Sequence, residues 1–268
     1  MKSGGKALEI LKISGLIKTY RGTASPAIWD IELSMEAGEM VGVIGSSGAG
    51  KSTLMRCVNR LTEPDGGRVF IEGREITRAG AGTVRELRRR VGMVFQHHNL
   101  IERLTVLQNV MHGRLGYMSM AAGVLGRYPE EEKRRAIELL DKTGLGEFLY
   151  HRAGELSGGQ MQRVGIVRAI MQRPALLLCD EPIASLDPAS AQVVMELIRD
   201  ICRESGIACL VNLHQVDVAM KFAGRIVGMR DGQIIYDGPV SELGGETVER
   251  IYGKPLSQLM IGGGAVVA

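Results

Sequence analysis

The chain has 268 residues, 45% of them apolar and 4% aromatic, which suits one domain, or one domain with subdomains, around a sizeable core. Its 33 basic and 30 acidic side chains leave +3, too even a balance for a nucleic-acid surface, and the basic cluster at 85–90 reads as a solvated helix face. No apolar run approaches the ~18 residues of a membrane helix, the first residues lack a signal-peptide centre, and Cys57, Cys179, Cys202 and Cys209 keep no metal or redox spacing, so the expectation is a cytoplasmic protein with buried thiols.

Residues 7–20 and 28–35 alternate apolar and polar side chains and predict strands of an antiparallel layer. Tyr20 falls at the end of the first, where its ring either covers the sheet or stacks on a base. The apolar run 40–44 then meets Gly45-Ser46-Ser47-Gly48-Ala49-Gly50-Lys51-Ser52-Thr53, and a helix pattern follows over 51–60. A glycine-rich turn between a strand and a helix gathers backbone N–H groups and a positive helix end around one point, which is a cradle for phosphates. In such a cradle Lys51 reaches the outer phosphates and the Ser52 hydroxyl ligates Mg²⁺.

Strands follow at 68–72 and 91–95, the second releasing Gln96 toward whatever site a neighbouring strand builds. From Gln96 to Leu156 the pattern turns helical, at 106–115 and 129–143, and reads as a helical insertion. The second of these helices carries Pro129 in its first turn, Glu130, Glu131 and Glu132 at its positive end, and Gly144 at its stop. Leu156-Ser157-Gly158-Gly159-Gln160 opens a further helix over 161–172, a second helix start able to face a phosphate.

Residues 175–179 form an unbroken apolar run ended by Asp180 and Glu181, as in a buried parallel strand that delivers two carboxylates at its C-terminal edge. Beside a phosphate loop, the first acid is placed to hold Mg²⁺ through water and the second to take a proton from an attacking water. Asp187 before Pro188 is a helix N-cap, which is by itself a sufficient reason for an acid there. Residues 207–213 predict another buried strand, and His214 stands at its end, either as a structural histidine or as a ligand group. Residues 225–229 and 233–236 flank Arg230-Asp231-Gly232 as a hairpin, and 262–268 read as a frayed tail.

Taken together, the phosphate loop, Gln96, LSGGQ at 156–160, the acid-ended strand, Ser185-Leu186-Asp187 and His214 resemble the ATP-binding subunits of ABC transporters over residues 8–243. The resemblance implies an α/β fold, with a P-loop NTPase (RecA-like) parallel-sheet core, an N-terminal antiparallel β layer and a helical subdomain. The domain would span 7–245, with the helical subdomain at about 97–170 and a short tail at 246–268. It implies ATP and Mg²⁺ as ligands, Tyr20 as the adenine-stacking ring, and Gly45, Ser46, Ser47, Gly48, Ala49, Gly50, Lys51, Ser52 and Thr53 as the cradle. Ser52, Gln96 and Asp180 would hold the metal, Glu181 would be the catalytic base, and His214, Lys51 and Gln96 would act beside it.

The resemblance further implies that two copies pair head to tail, each ATP lying between one copy's loop and the other's Ser157, Gly158, Gly159 and Gln160, with Asp187 at the dimer interface. Transmembrane permease subunits would dock on the helical insertion at the cytoplasmic face of the membrane, with a solute-binding protein as an indirect partner and no nucleic acid. Segments 95–116, 126–145, 182–188 and 213–238 are similar to the phosphonate importer ATPases, whereas Met161, Gly165 and Asn212 are less usual there and leave phosphite, phosphate esters or another small solute open. A non-transport ABC ATPase would call for tandem cassettes, a coiled-coil insertion or a basic face, and a small-molecule kinase is opposed by LSGGQ and His214.

Overall fold

In the computed structural model, which describes residues 8–96 and 98–255, the alternating segments become β1 (Glu9–Lys18) and β2 (Ile28–Glu36), paired antiparallel. Ile31, Leu33 and Met35 of β2 are buried at a period of two, as are Leu11 and Ile13 of β1, where a register shift between Ile13 and Leu16 brings Leu16 back into the core. The apolar run becomes β3 (Met40–Ile44), which feeds the glycine-rich loop and α1 (Lys51–Val58). The chain returns to the first layer with β4 (Gly66–Ile71) and β5 (Arg74–Glu75), passes through α2 (Ala81–Arg88), and enters β6 (Val91–Val94). The helical stretch holds α3 (Val106–Met111), α4 (Met120–Val124), α5 (Glu130–Lys142) and α6 (Gly158–Met171). Then come β7 (Leu176–Asp180), α7 (Pro188–Ser205), β8 (Ala208–Asn212), α8 (Val216–Phe222), β9 (Arg225–Arg230), β10 (Gln233–Pro239) and α9 (Gly245–Tyr252).

Two sheets result. The antiparallel one has the order β2-β1-β4-β5, and the larger one has the order β10-β9-β3-β8-β7-β6, parallel from β9 to β6 with β10 antiparallel at its edge. β7 and β8 are buried at every residue, which matches their unbroken apolar sequences and their cover on both faces. Because β6, β7, β8 and β3 run the same way, their C-terminal ends share one edge, where ligands gather in open parallel sheets.

Among the described residues three apolar clusters hold these layers. Leu11, Ile31, Leu54, Met55 and Leu210 join the antiparallel sheet and α1 to the parallel sheet, while Ile198, Cys209, Phe222 and Ile251 fill the opposite face. Val110, Leu140, Leu156 and Val164 form the interior of the helical stretch. Helix α6 belongs to two of these clusters: Val164, Val167 and Met171 face the helical stretch, and Ile166, Ala169 and Ile170 face the sheet.

Several local expectations are corrected. The cluster at 85–90 is more than a solvated face. Arg88 donates to the carbonyls of Asn59 (3.1 Å) and Arg60 (2.6 Å), and Arg90 grips Glu72 at 2.7 and 2.8 Å, because helix-end carbonyls and a carboxylate need donors that a guanidinium fork supplies. The tail predicted at 246–268 begins instead as α9, whose Val248 and Ile251, three residues apart, bury one face against the core. The frayed end predicted at 262–268 lies outside the described residues. Helix α3 stops at Met111 and tightens into a 3₁₀ turn over His112–Tyr117, Pro129 sits one residue before α5 instead of inside it, and α6 starts at Gly158.

Candidate nucleotide site

The loop after β3 takes its shape from glycine. Gly45 (φ 152°) and Gly50 (φ 101°) adopt conformations that L side chains rarely reach, and a Cβ would lie 2.2 Å from the Met229 carbonyl oxygen at the first and 2.4 Å from that of Ala27 at the second. Among the described residues, the backbone N–H groups of Ser47, Gly48, Gly50, Lys51 and Ser52 donate to no protein acceptor, which leaves them open to a ligand at the start of α1. Lys51 is 4% exposed, and its ammonium donates to the carbonyls of Gly45 (2.7 Å) and Ser46 (2.9 Å). Burial holds its pKa below the ordinary lysine value, with Glu181 and Asp180 pulling the other way.

The acids arrive from β7. Ser52 Oγ donates to Asp180 Oδ1 at 2.8 Å, so the loop hydroxyl and the first acid form one oxygen-rich pair. The backbone of Glu181, just past β7, turns into the left-handed region (φ 53°), an uncommon and strained choice for a non-glycine residue. His214, just past β8, meets it: Nε2 to Oε1 is 2.6 Å.

Two residues that sequence reading left outside the site join it. Asn212 Nδ2 donates to the same Asp180 Oδ1 at 2.8 Å and lies 3.4 Å from Ser52 Oγ. The available signal was a lone polar side chain closing an apolar run. Tyr252 of α9 donates its hydroxyl to the His214 carbonyl at 3.2 Å and meets the Gly45 N–H, and burial pushes its pKa up to about 12. Nothing in the local sequence of α9 announces that contact.

The remaining predicted residues divide. The Tyr20 hydroxyl is 3.4 Å from Thr53 Oγ1, with the ring 37% exposed beside the start of α1. Gln96 is exposed just beyond β6, and among the described residues no hydrogen bond joins it to Ser52 or Asp180. Ser157 and Gln160 close a capping box on α6, Ser157 Oγ accepting from Gln160 N–H at 3.3 Å and Gln160 Oε1 accepting from Ser157 N–H at 2.8 Å. Asp187 caps α7 through the N–H groups of Ala189 (3.1 Å) and Ser190 (3.0 Å), and hydrogen bonds from Ser190 and then Ala189 keep its carboxyl below the usual range. Among the described residues no hydrogen bond ties Ser157, Gly158, Gly159, Gln160 or Asp187 to the loop of the same chain. The segment after Gln96 is fastened to α6, since His98 Nε2 lies 3.0 Å from the Gly158 carbonyl and Arg168 donates to the carbonyls of His98 (2.9 Å) and Asn99 (2.6 Å).

The donor set suits a hard cation bound together with phosphates: a hydroxyl and a carboxylate, with no group of three or more His, Cys, Asp or Glu among the described residues that could hold an ion by itself. No described helix is long and apolar enough to cross a membrane.

Residues 28–184 match the family model described as ABC transporter. The chain is 52% identical over 244 residues to a phosphonates import ATP-binding protein of Halalkalibacterium halodurans, covering 91% of this chain and 99% of that protein. It is 48% identical over 253 residues to one of Oceanobacillus iheyensis, covering 94% and 99%. The structure superposes with a TM-score of 0.74 and 32% identity on the dimeric ATP-binding cassette MJ0796 in a post-hydrolysis state bound to ADP and Pi, covering 86% of this chain and 99% of that one. With a glycine-built loop, an acid-ended strand and a facing histidine on one sheet edge, the chain belongs to the ABC transporter family.

Proposed function

We propose that the chain is the ATP-hydrolysing subunit of an importer that carries phosphonate, or a related phosphorus oxyanion, through a membrane permease. The observation that carries this reading is the convergence of the open N–H groups of Ser47, Gly48, Gly50, Lys51 and Ser52, the Ser52–Asp180 pair and the Glu181–His214 pair on one edge of the parallel sheet. The loop N–H groups and Lys51 bind and neutralise the outer phosphates of ATP. Glu181 accepts the proton of a water that attacks the γ-phosphorus in line, and His214, its partner, orients that carboxylate and faces the departing phosphate. Ser52, Asp180 and Gln96 are the groups that would hold Mg²⁺, which would supply positive charge against the phosphates. Tyr20 would stack on the adenine.

Ser157, Gly158, Gly159 and Gln160 contribute to the site of a second copy. Their exposed helix start at α6 offers N–H groups and a positive dipole end to a γ-phosphate held by the other chain's loop, and this helix start takes the place of an arginine finger. Support comes from the dimeric state of the similar cassette. The permease would dock at the helical subdomain, beside a cavity of about 530 Å³ lined by Arg85, Arg88, Arg89, His112 and Gly116, at the cytoplasmic face of the membrane.

The purified chain, given ATP and Mg²⁺, is expected to release inorganic phosphate with no acceptor present; phosphorylation of a small acceptor in its place would overturn the reading. Cargo is tested by reconstituting the chain with its permease and solute-binding protein. Stimulation of hydrolysis by phosphonate or phosphite is expected, and stimulation by an unrelated solute with none by these would replace the cargo assignment.

A further inference from the structure

Asn212 is the last residue of β8, the strand that lies between β3, which leads to the phosphate loop, and β7, which ends in the acids. Its Cα is in register with Val43 on one side and Asp180 on the other. Register places the Asn212 and Asp180 side chains next to each other on one face of the sheet. The amide is fully buried, a position where an apolar side chain would continue the run of 207–211. Its Nδ2 donates to Asp180 Oδ1, which also accepts from Ser52 Oγ, and the same Nδ2 lies 3.4 Å from that hydroxyl. Among the described residues its buried Oδ1 has no hydrogen-bond partner. An amide oxygen left unpaired in a core is unfavourable, so the burial is explained by what the other end of the amide holds. Turning the amide over would set its oxygen against the carboxylate, which fixes Nδ2 as the donor.

We propose that Asn212 is the positioning residue of the metal end of the site: it clamps one oxygen of Asp180 and keeps Ser52 Oγ beside it, so that carboxylate and hydroxyl meet a divalent cation already oriented. A neutral donor suits the task. It fixes the carboxylate through a charge-assisted hydrogen bond and, unlike a lysine, does not cancel the negative charge that attracts the cation. The end of β8 and the residues just past it thereby meet both acids at the end of β7, Asn212 holding Asp180 and, two residues on, His214 meeting Glu181.

The inference rests on the proposal that the site takes ATP with Mg²⁺. The test compares Asn212→Val with Asn212→Thr, two β-branched side chains of one shape that differ by a hydroxyl donor. The affinity of each chain for a fluorescent ATP analogue is measured with Mg²⁺ and again with EDTA. For the wild type, Mg²⁺ should tighten binding; if it does not, the ATP and Mg²⁺ reading fails and not the role of Asn212. The valine chain is expected to lose about tenfold of the Mg²⁺-dependent tightening, the loss of one charge-assisted hydrogen bond, with its EDTA affinity unchanged and the threonine chain nearer the wild type. Equal behaviour of valine and threonine, an unchanged Mg²⁺ effect in both, or a parallel fall with and without Mg²⁺ would each overturn the proposal. Melting curves confirm folding, and if the valine chain does not fold, Asn212→Ala against Asn212→Ser puts the same question.

Discussion

Nε2 of His214 lies 2.6 Å from Oε1 of Glu181, so two residues from neighbouring strand ends, 33 positions apart in sequence, form one unit at the sheet edge. If Glu181 is the base, Glu181→Gln keeps the shape and the contact but not the proton acceptance. Phosphate release should then fall by about 100-fold or more, the range of a lost general base, while ATP is still bound. Size-exclusion chromatography with ATP should show a trapped dimer, and a monomeric Glu181→Gln chain hydrolysing at the wild-type rate would refute the assignment.

Ser157 presents a sharper separation, because the structure already gives it a job as the cap of α6. Loss of a cap alone predicts about 1 kcal/mol of destabilisation for Ser157→Ala, with hydrolysis otherwise intact. A role across a dimer predicts much more: ATP binding by the single subunit nearly unchanged and hydrolysis severely reduced. Steady-state phosphate release beside equilibrium nucleotide binding tells the two apart.

Glu132 is a stability hinge of the helical stretch. Its Oε1 accepts from Arg114 at 3.0 Å and Arg173 at 3.2 Å, with the Glu132 and Arg114 side chains each 11% exposed. Glu132→Ala would leave two guanidiniums without their acid, one of them buried, and should cost about 3 kcal/mol in urea unfolding, the low end for breaking a buried pair. Nucleotide affinity should be unaffected.

Asp187 gives a pH signature. The Ser190 and Ala189 hydrogen bonds lower its folded-state pKa, so the capped form contributes stability at pH above the unfolded carboxylate value of about 4 and loses it as pH falls through the folded value. Asp187→Asn keeps the cap but does not titrate there. Between pH 7 and pH 3 the urea midpoint of the wild type should therefore drop further than that of Asp187→Asn, and equal drops would remove Asp187 from the acid response.

Much of this was legible because it is written locally. An apolar run meeting glycines and then a helix pattern dictates the loop of 45–53, and Asp187 before Pro188 dictates a cap that the structure reproduces to the residue. The unread parts depend on contacts between distant segments. Asn212 becomes a site residue through strand register with Asp180, and Tyr252 through the packing of Ile251 beneath β9, neither of which leaves a periodic trace. The arginines at 88 and 90 misled for the same reason, since carbonyls in need of donors are invisible in a charge count.

Helix α6 spans about 21 Å at 1.5 Å per residue and serves as a wall of two apolar clusters. Inserting or deleting one residue would turn everything beyond it by about 100°, so Val167 and Ile170 could not both keep their partners. Its length is consequently fixed in a way that its individual side chains are not. The exposed stretch around Met120 and Val124, 86% and 83% accessible, belongs to none of the three clusters and is under no such constraint from the core.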